Sequence, residues 1–192
     1  MTNERLIKLW DHLLSQSQFT GDGCCPNVVE IAKDLLPNSK EYPKVLDLAC
    51  GDGYWIKWLK NKGYTVEGID LLHENKDLNI IKGDMHFTPY EKESFDWIFC
   101  NNSYEHAISP LILTIEIKRL LRSKGLAFIV IPGEDTTWVY DNQHYSVLPR
   151  KQIENLFVKC GMQLVKYMRV MEDPKKGADT QMMQIFLFMR ID

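Results

Sequence analysis

The chain has 192 residues, of which 45% are hydrophobic, and a formal net charge of -3. This is enough chain for one domain with a sizeable core, and it leaves no excess of Lys and Arg of the kind that nucleic-acid binding leans on. No apolar stretch approaches the ~20 residues of a membrane span. Glu4, Arg5, Lys8 and Asp11 interrupt the start where a secretory signal would be apolar, so a cytoplasmic protein is expected. The five cysteines, with Cys24 and Cys25 adjacent, have neither disulfide-framework nor zinc-ribbon spacing and read as reduced thiols.

In chain order, Leu6, Leu9, Trp10, Leu13 and Leu14 recur at helical spacing, as do Val28, Val29, Ala32, Leu35 and Leu36 ahead of Pro37. Between them runs the turn-rich Phe19-Thr-Gly-Asp-Gly-Cys-Cys-Pro26. Residues 1–42 are therefore expected to form an N-terminal helical extension ahead of a core over 43–192, the whole making a single domain. The core alternates. A strand is expected over 45–48, a helix near 54–62 stopped by Gly63, and strands over 65–69 and near 78–82. A strand over 97–100, a helix from about 111 to 121 and a strand over 126–131 follow. Trp55 and Trp58 are spaced to pack one helix face on the sheet. After a loop over 133–148, Pro149 suits the first turn of a helix that runs to Cys160 and stops at Gly161. Two apolar segments, 162–171 and 182–191, flank a polar run whose Lys175-Lys176 pair reads as a solvated turn, and the methionines in them suit core filling.

The run Val45-Leu-Asp-Leu-Ala-Cys-Gly-Asp-Gly53, with Gly68-Ile-Asp70 beyond it, carries most of the functional information. Unbroken apolar residues before the turn suit a parallel strand covered on both faces, and Gly51 and Gly53 let the backbone pass close to a ligand. A pyrophosphate-binding turn is uncharged and usually has a third glycine three residues after the second, where Ile56 stands here. Asp47 at the strand end and Asp52 between the glycines would repel a pyrophosphate and welcome a cation. S-adenosylmethionine (SAM) has an ammonium, a sulfonium and a ribose diol but no phosphate. Asp47 can serve the ammonium. Asp70 can serve the ribose, since it follows Gly53 by about the ~20-residue separation expected of a ribose-binding acid.

At these residues the chain resembles the class I SAM-dependent methyltransferases. Asp47-Leu-Ala-Cys-Gly-Asp-Gly53 looks like their first motif, Asp70 like the acid closing the second strand, Gly83-Asp84-Met85 like the adenine-binding turn after the third, and Phe95-Asp-Trp-Ile-Phe99 like the fourth strand. The segment from Asn101 through Glu105-His106 to Pro110 is similar to the Glu-His segment of the small-molecule branch that includes ubiquinone-pathway O-methyltransferases. Arg119-Leu-Leu-Arg-Ser-Lys-Gly125 and the strand after it resemble the approach to the family's fifth strand. Ala49 departs from the pattern, standing where many members have glycine. The resemblance implies a three-layer α/β sandwich with a Rossmann-like, seven-stranded, mostly parallel sheet whose last strand is antiparallel, and it implies SAM as cofactor. It implies cofactor contacts from Asp47, Ala49, Gly51, Gly53, Asp70, Leu71, Asp84, Met85 and Asn101, with Asp84 and Met85 at the adenine. It also implies a small-molecule methyl acceptor, and an N-terminal extension that either covers the pocket or serves as packing.

A sulfonium is an activated leaving group, so methyl transfer needs proximity, alignment and exclusion of water. A base is needed only for an acceptor that must lose a proton. Candidates lie on two loops at the carboxyl edge of the sheet: Glu105 and His106 after the fourth strand, and Asp135, Tyr140, His144 and Tyr145 after the fifth. A catalytic role is expected of His106, His144 and Glu105, as a base or a metal pair; no metal is assigned. The other possibility is that His106 packs the helix start and His144 hydrogen-bonds within its loop. Trp138, Tyr140 and Tyr145 can line an acceptor pocket. Asn101-Asn102-Ser103-Tyr104 sits where amino-methylating DNA enzymes carry Asn/Asp-Pro-Pro-Tyr, but both prolines are absent. A SAM-binding module without catalysis, a nucleic-acid methyltransferase and a nicotinamide oxidoreductase remain as alternatives. The oligomeric state is not legible in the sequence.

Overall fold

The computed structural model describes residues 26–31, 33–171 and 182–192. The apolar run ahead of the glycine turn forms β1 (Lys44–Leu48), buried in all but its first residue. It lies between β2 (Thr65–Asp70) and β4 (Phe95–Asn101), parallel to both. With β3 (Ile80–Lys82), β5 (Leu121–Pro132), β6 (Met162–Met171) and β7 (Met182–Arg190) it makes a seven-stranded sheet in the order β3-β2-β1-β4-β5-β7-β6. Only the last strand runs against the others: β7 is antiparallel to both β5 and β6. The α/β architecture, strand number and single reversed strand are those expected from the sequence. The strand order changes direction at β1 and β4, so the loops at their carboxyl ends open a crevice, the usual place for a ligand in such sheets.

Alternation along the strands builds two cores. Val45, Trp97, Phe99, Phe128, Val130 and Ile185 face one layer with Trp55, Ile56 and Leu59 of α2 (Tyr54–Asn61) and Val28 and Val29 of α1 (Pro26–Ile31). Leu46, Leu48, Ile98, Cys100, Ile129 and Ile131 face the other, under Leu113, Ile117 and Leu120 of α3 (Pro110–Leu120) and Ile153 and Phe157 of α4 (Arg150–Lys159). Phe99 stacks on Phe128 and Phe157 on Phe188, with centroids 5.6 and 4.0 Å apart. Each such buried side chain contributes about 1.5–3 kcal/mol of transfer free energy. Trp55 is buried and Trp58 packs beside it, as their helical spacing predicts. Met162 and Met183 are core residues. Among the described residues no helix is long and apolar enough to cross a membrane.

Three differences from the expected element bounds have a physical reason beyond a residue or two at the ends. The helix expected over 28–36 appears as α1 and a separate 3-10 turn, Lys33–Leu35. Pro149 sits at the N-cap of α4, one position ahead of its first turn. β5 starts at Leu121, directly at the end of α3, because Leu121 pairs with Phe95 and the register resumes at Leu126 opposite Trp97. This shift also turns Phe95 to the face opposite Trp97 and Phe99. The predicted helix around Leu6 to Leu14, Cys24, Cys25 and the Lys175-Lys176 turn lie outside the described residues.

The bulge that joins Leu121 to Leu126 requires Gly125. A Cβ there would meet the backbone oxygens of Arg122 and Asp96 at 2.8 and 2.9 Å, and neither can move without breaking a strand. Gly125→Ala is therefore expected to lower stability by about 1–3 kcal/mol, as overpacking does, with the urea midpoint as the measurement.

Candidate cofactor and acceptor site

The glycine turn after β1 is built on left-handed backbone. Ala49, Gly51 and Gly53 have φ of 59°, 55° and 88°. Ala49 thus occupies a conformation that glycine adopts without strain, the physical reason a glycine is common at that place. At Gly53 a Cβ would also meet Ile80 and Leu78 side chains at 2.8 Å, so the start of α2 closes directly on the loop and strand of β3. Asp52 is exposed and accepts the amide of Tyr54, the first residue of α2, at 3.1 Å.

Asp70, closing β2, holds this turn. Its Oδ2 accepts the Gly51 amide at 2.9 Å, while Oδ1 accepts the Leu72 and His73 amides at 2.9 and 3.0 Å and lies 2.9 Å from His73 Nδ1. Leu71 is half-buried between these contacts. Asp84, after β3, accepts the His86 amide at 2.8 Å and pairs with the buried His86 ring, leaving Met85 half-buried against the second core. Asn101 ends β4, 9% exposed, and the next residue, Asn102, is left-handed at φ 49°. Ser103 binds this corner to the neighbouring strand by donating to the Leu48 carbonyl at 3.0 Å.

Asp47 behaves differently. It is 2% exposed, its Oδ2 has no hydrogen-bond partner among the described residues, and burial, reinforced by the charge of Asp70, holds its carboxyl well above the usual carboxylate range. A buried carboxyl with an unsatisfied oxygen beside a second acid is a site for a cation. An ammonium group fits it, and a phosphate does not.

On the adjacent strand ends the three expected catalytic residues come together. Glu105, 1% exposed, and His106 sit on the 3-10 turn Tyr104–His106 after β4. His144 arrives on the loop after β5, its ring 4.8 Å from that of His106 in an edge arrangement. One ligating atom from each of Glu105, His106 and His144 falls within 4.8 Å of the others, so this donor set could hold a divalent ion as well as a proton. His106 Nδ1 lies 3.0 Å from the Gln143 carbonyl and His144 Nδ1 lies 2.9 Å from the Trp138 carbonyl. A carbonyl only accepts, so each Nδ1 carries a proton. Burial, partly offset by the Gln143 bond, pushes His106 down to about 4.

The remaining candidates separate. Asp135 is drawn into an ion pair with Arg169 of β6, both oxygens 2.7 Å from one guanidinium nitrogen, which holds its carboxyl below the usual range. Tyr140 is 87% exposed and Tyr145 points half into solvent, whereas Trp138 packs against the first core with its ring 6.2 Å from His144. His73, His86 and Ser146 also form the site without a sequence motif to mark them, and Ser103 does so from within the Asn101–Tyr104 run. For His73 and His86, a histidine two or three residues after an aspartate at or just beyond a strand end is the available signal.

A mostly parallel sheet with this order, a left-handed glycine turn and acids at the ends of its first strands define a Rossmann-like α/β protein whose cleft favours a cationic nucleoside. The chain belongs to the methyltransferase domain family, which it matches over residues 22–167. SAM is accordingly its cofactor. It is 31% identical over 102 residues to a ubiquinone biosynthesis O-methyltransferase of Actinobacillus pleuropneumoniae, covering 44% of each chain. It is 25% identical over 181 residues to the chloroplastic 2-methyl-6-phytyl-1,4-hydroquinone methyltransferase 1 of rice (Oryza sativa subsp. japonica), covering 84% of this chain and 52% of that one. The chain thus spans about half the length of the curated relatives it matches. In fold it is similar to the Burkholderia thailandensis 1,6-didemethyltoxoflavin-N1-methyltransferase, solved with its acceptor and S-adenosylhomocysteine, with a TM-score of 0.70 at 17% identity over 88% of this chain and 79% of that one.

Asp47 gives a pH prediction. Its carboxyl is raised in the folded protein, so the stability present while it is protonated, below the ordinary carboxylate range, is lost as pH rises through the raised value. A bound ammonium reverses the preference, so SAM binding should release a proton and tighten as pH rises through the same range. Asp47→Asn is expected to raise the thermal midpoint at neutral pH and to weaken SAM by about tenfold or more, the worth of one charge-assisted hydrogen bond. Calorimetry in buffers of different ionisation enthalpy measures both the proton and the affinity; a lowered midpoint with unchanged affinity would contradict it.

Proposed function

We propose that this protein transfers the methyl group of SAM to a hydroxyl or ring nitrogen of a small, largely aromatic molecule. The carrying observation is Asp47: a buried carboxyl with an unsatisfied oxygen beside a left-handed glycine turn suits the ammonium of the cofactor's methionine part and disfavours a pyrophosphate. On this reading Gly51, Gly53 and Ala49 shape the turn along the cofactor. Asp70 faces the ribose with the acceptor capacity left on Oδ2, Leu71, Asp84 and Met85 lie at the adenine, and Asn101 floors the cleft. When bound, SAM supplies a methyl group already activated by its sulfonium, so the chain's task is to align the acceptor and keep water out.

His106 and His144 meet that task with their Nδ1 protons held by backbone carbonyls and Nε2 as the accepting atom, with Glu105 beside them. Trp138 gives the acceptor an apolar wall. The relatives' names support an aromatic acceptor, since two of them act in quinone or hydroquinone methylation and the fold neighbour methylates a heteroaromatic nitrogen. A nucleic-acid acceptor is disfavoured by the net charge of -3 and the missing prolines after β4.

Calorimetry with SAM and NAD, followed by a mass-spectrometric screen of phenols, quinols and N-heterocycles for methylated product, tests the proposal. SAM is expected to bind and NAD not to, one aromatic class to gain a methyl group, and the His106→Ala and His144→Ala variants to bind SAM normally while losing turnover. The acid limb of the rate that belongs to His106 should fall near pH 4, below an ordinary histidine. Tighter NAD than SAM would sink the proposal. SAM binding without any product would reassign the chain as a binding module. Turnover lost on chelation and restored by a divalent ion would give the three side chains to a metal.

A further inference from the structure

We infer that Ser146 is a positioning residue that clamps the loop after β5 onto the turn after β4 and so fixes the geometry of the His106–His144 pair. Ser146 lies on the loop over 133–148, yet it is 1% exposed. Its amide donates to the Glu105 carbonyl at 2.8 Å and its hydroxyl to the Ala107 carbonyl at 2.5 Å. One serine thereby grips the carbonyls of the residues on both sides of His106. The loop itself is braced upstream: Thr136 Oγ1 donates to the Gly133 carbonyl at 2.8 Å, and the Gln143 amide donates to Asp141 Oδ1 at 2.8 Å. Those bonds give the loop a shape of its own. Ser146 is what sets that shape against His106, so that the Gln143 carbonyl reaches His106 Nδ1 while His144 lies at its edge.

The clamp has chemical consequences. The Gln143 carbonyl selects the His106 tautomer, and the loop seated over the ring supplies the burial that keeps it neutral. Replacing the hydroxyl by hydrogen leaves the Ala107 carbonyl, itself on a fully buried residue, without that donor. The loop then gains freedom at the point where it matters for proton acceptance, while Asp47, Asp70 and the glycine turn keep their own contacts.

The inference rests on reading the two histidines as proton acceptors, and its test is built so that the two fail separately. Imidazole-15N NMR of the full chain follows the titration and tautomer of His106 and His144 in the wild type, Ser146→Ala and Ser146→Thr. Ser146→Ala is expected to bind SAM as the wild type does, to raise the His106 midpoint from about 4 by about one pH unit or more, and to mix its tautomers. Ser146→Thr, which keeps the hydroxyl, is expected to restore both. With an acceptor from the screen above, Ser146→Ala should lower kcat about tenfold with KM for SAM unchanged, as loss of alignment does. Identical His106 titration and tautomer in wild type and Ser146→Ala would overturn the inference. Should Ser146→Ala not fold, amide exchange in the wild type decides: a Ser146 amide that exchanges like an open chain overturns the clamp, and a protected one supports it. Absence of SAM binding in the wild type sinks the methyltransferase reading and leaves the histidine titrations to judge the clamp alone.

Discussion

The hydrogen bond from the Gly51 amide to Asp70 Oδ2 is the contact on which the site depends. The turn after β1 bends through three left-handed residues within five positions, a path the chain does not hold by itself. Asp70 collects the Gly51 amide from one strand end and the Leu72 and His73 amides from its own, so a single carboxylate joins the carboxyl ends of β1 and β2. Charge-assisted bonds of this kind are about twice as strong as neutral ones. The close packing of Gly53 on Ile80 and Leu78 then carries the same constraint into β3.

The organising carboxylate has an electrostatic cost. Its charge adds to the burial that opposes ionisation of Asp47 on the next strand. The turn is therefore geometrically complete and electrostatically unsatisfied, and a cationic ligand relieves the second condition without altering the first. Stability and binding pull in opposite directions at Asp47, a common arrangement where function is selected over maximal stability.

Much of this was legible in the sequence because it follows from periodicity and topology. The unbroken apolar run of β1 predicts a doubly covered parallel strand, and the meeting of Glu105 and His106 with His144 follows because they sit on loops leaving neighbouring strands. Other features depend on partners far along the chain. The Ser-Lys-Gly run before Leu126 has the composition of a helix stop, and the pairing of Leu121 with Phe95 overrides it. Ser103 and Ser146 act through carbonyls of Leu48, Glu105 and Ala107, which carry no side-chain signal. Asp135 has the chemistry of a base, but its ion pair with Arg169 of β6 takes up its carboxylate. Charge type was readable residue by residue; which charge meets which was not.

The place of β7 has a consequence for how the chain reaches its native state. β7 follows β6 in sequence but lies between it and β5, so β6 has no seat in the sheet until β7 has inserted. Until then β5, whose last eight residues are all buried in the native protein, presents an open row of amides and carbonyls. The pairing of β7 with β5 joins segments far apart in the chain, and such long-range pairing is slow to form in sheets of this kind. This delay exposes a sticky edge, and the kinetic hazard of the fold lies there, two strands from the glycine turn after β1.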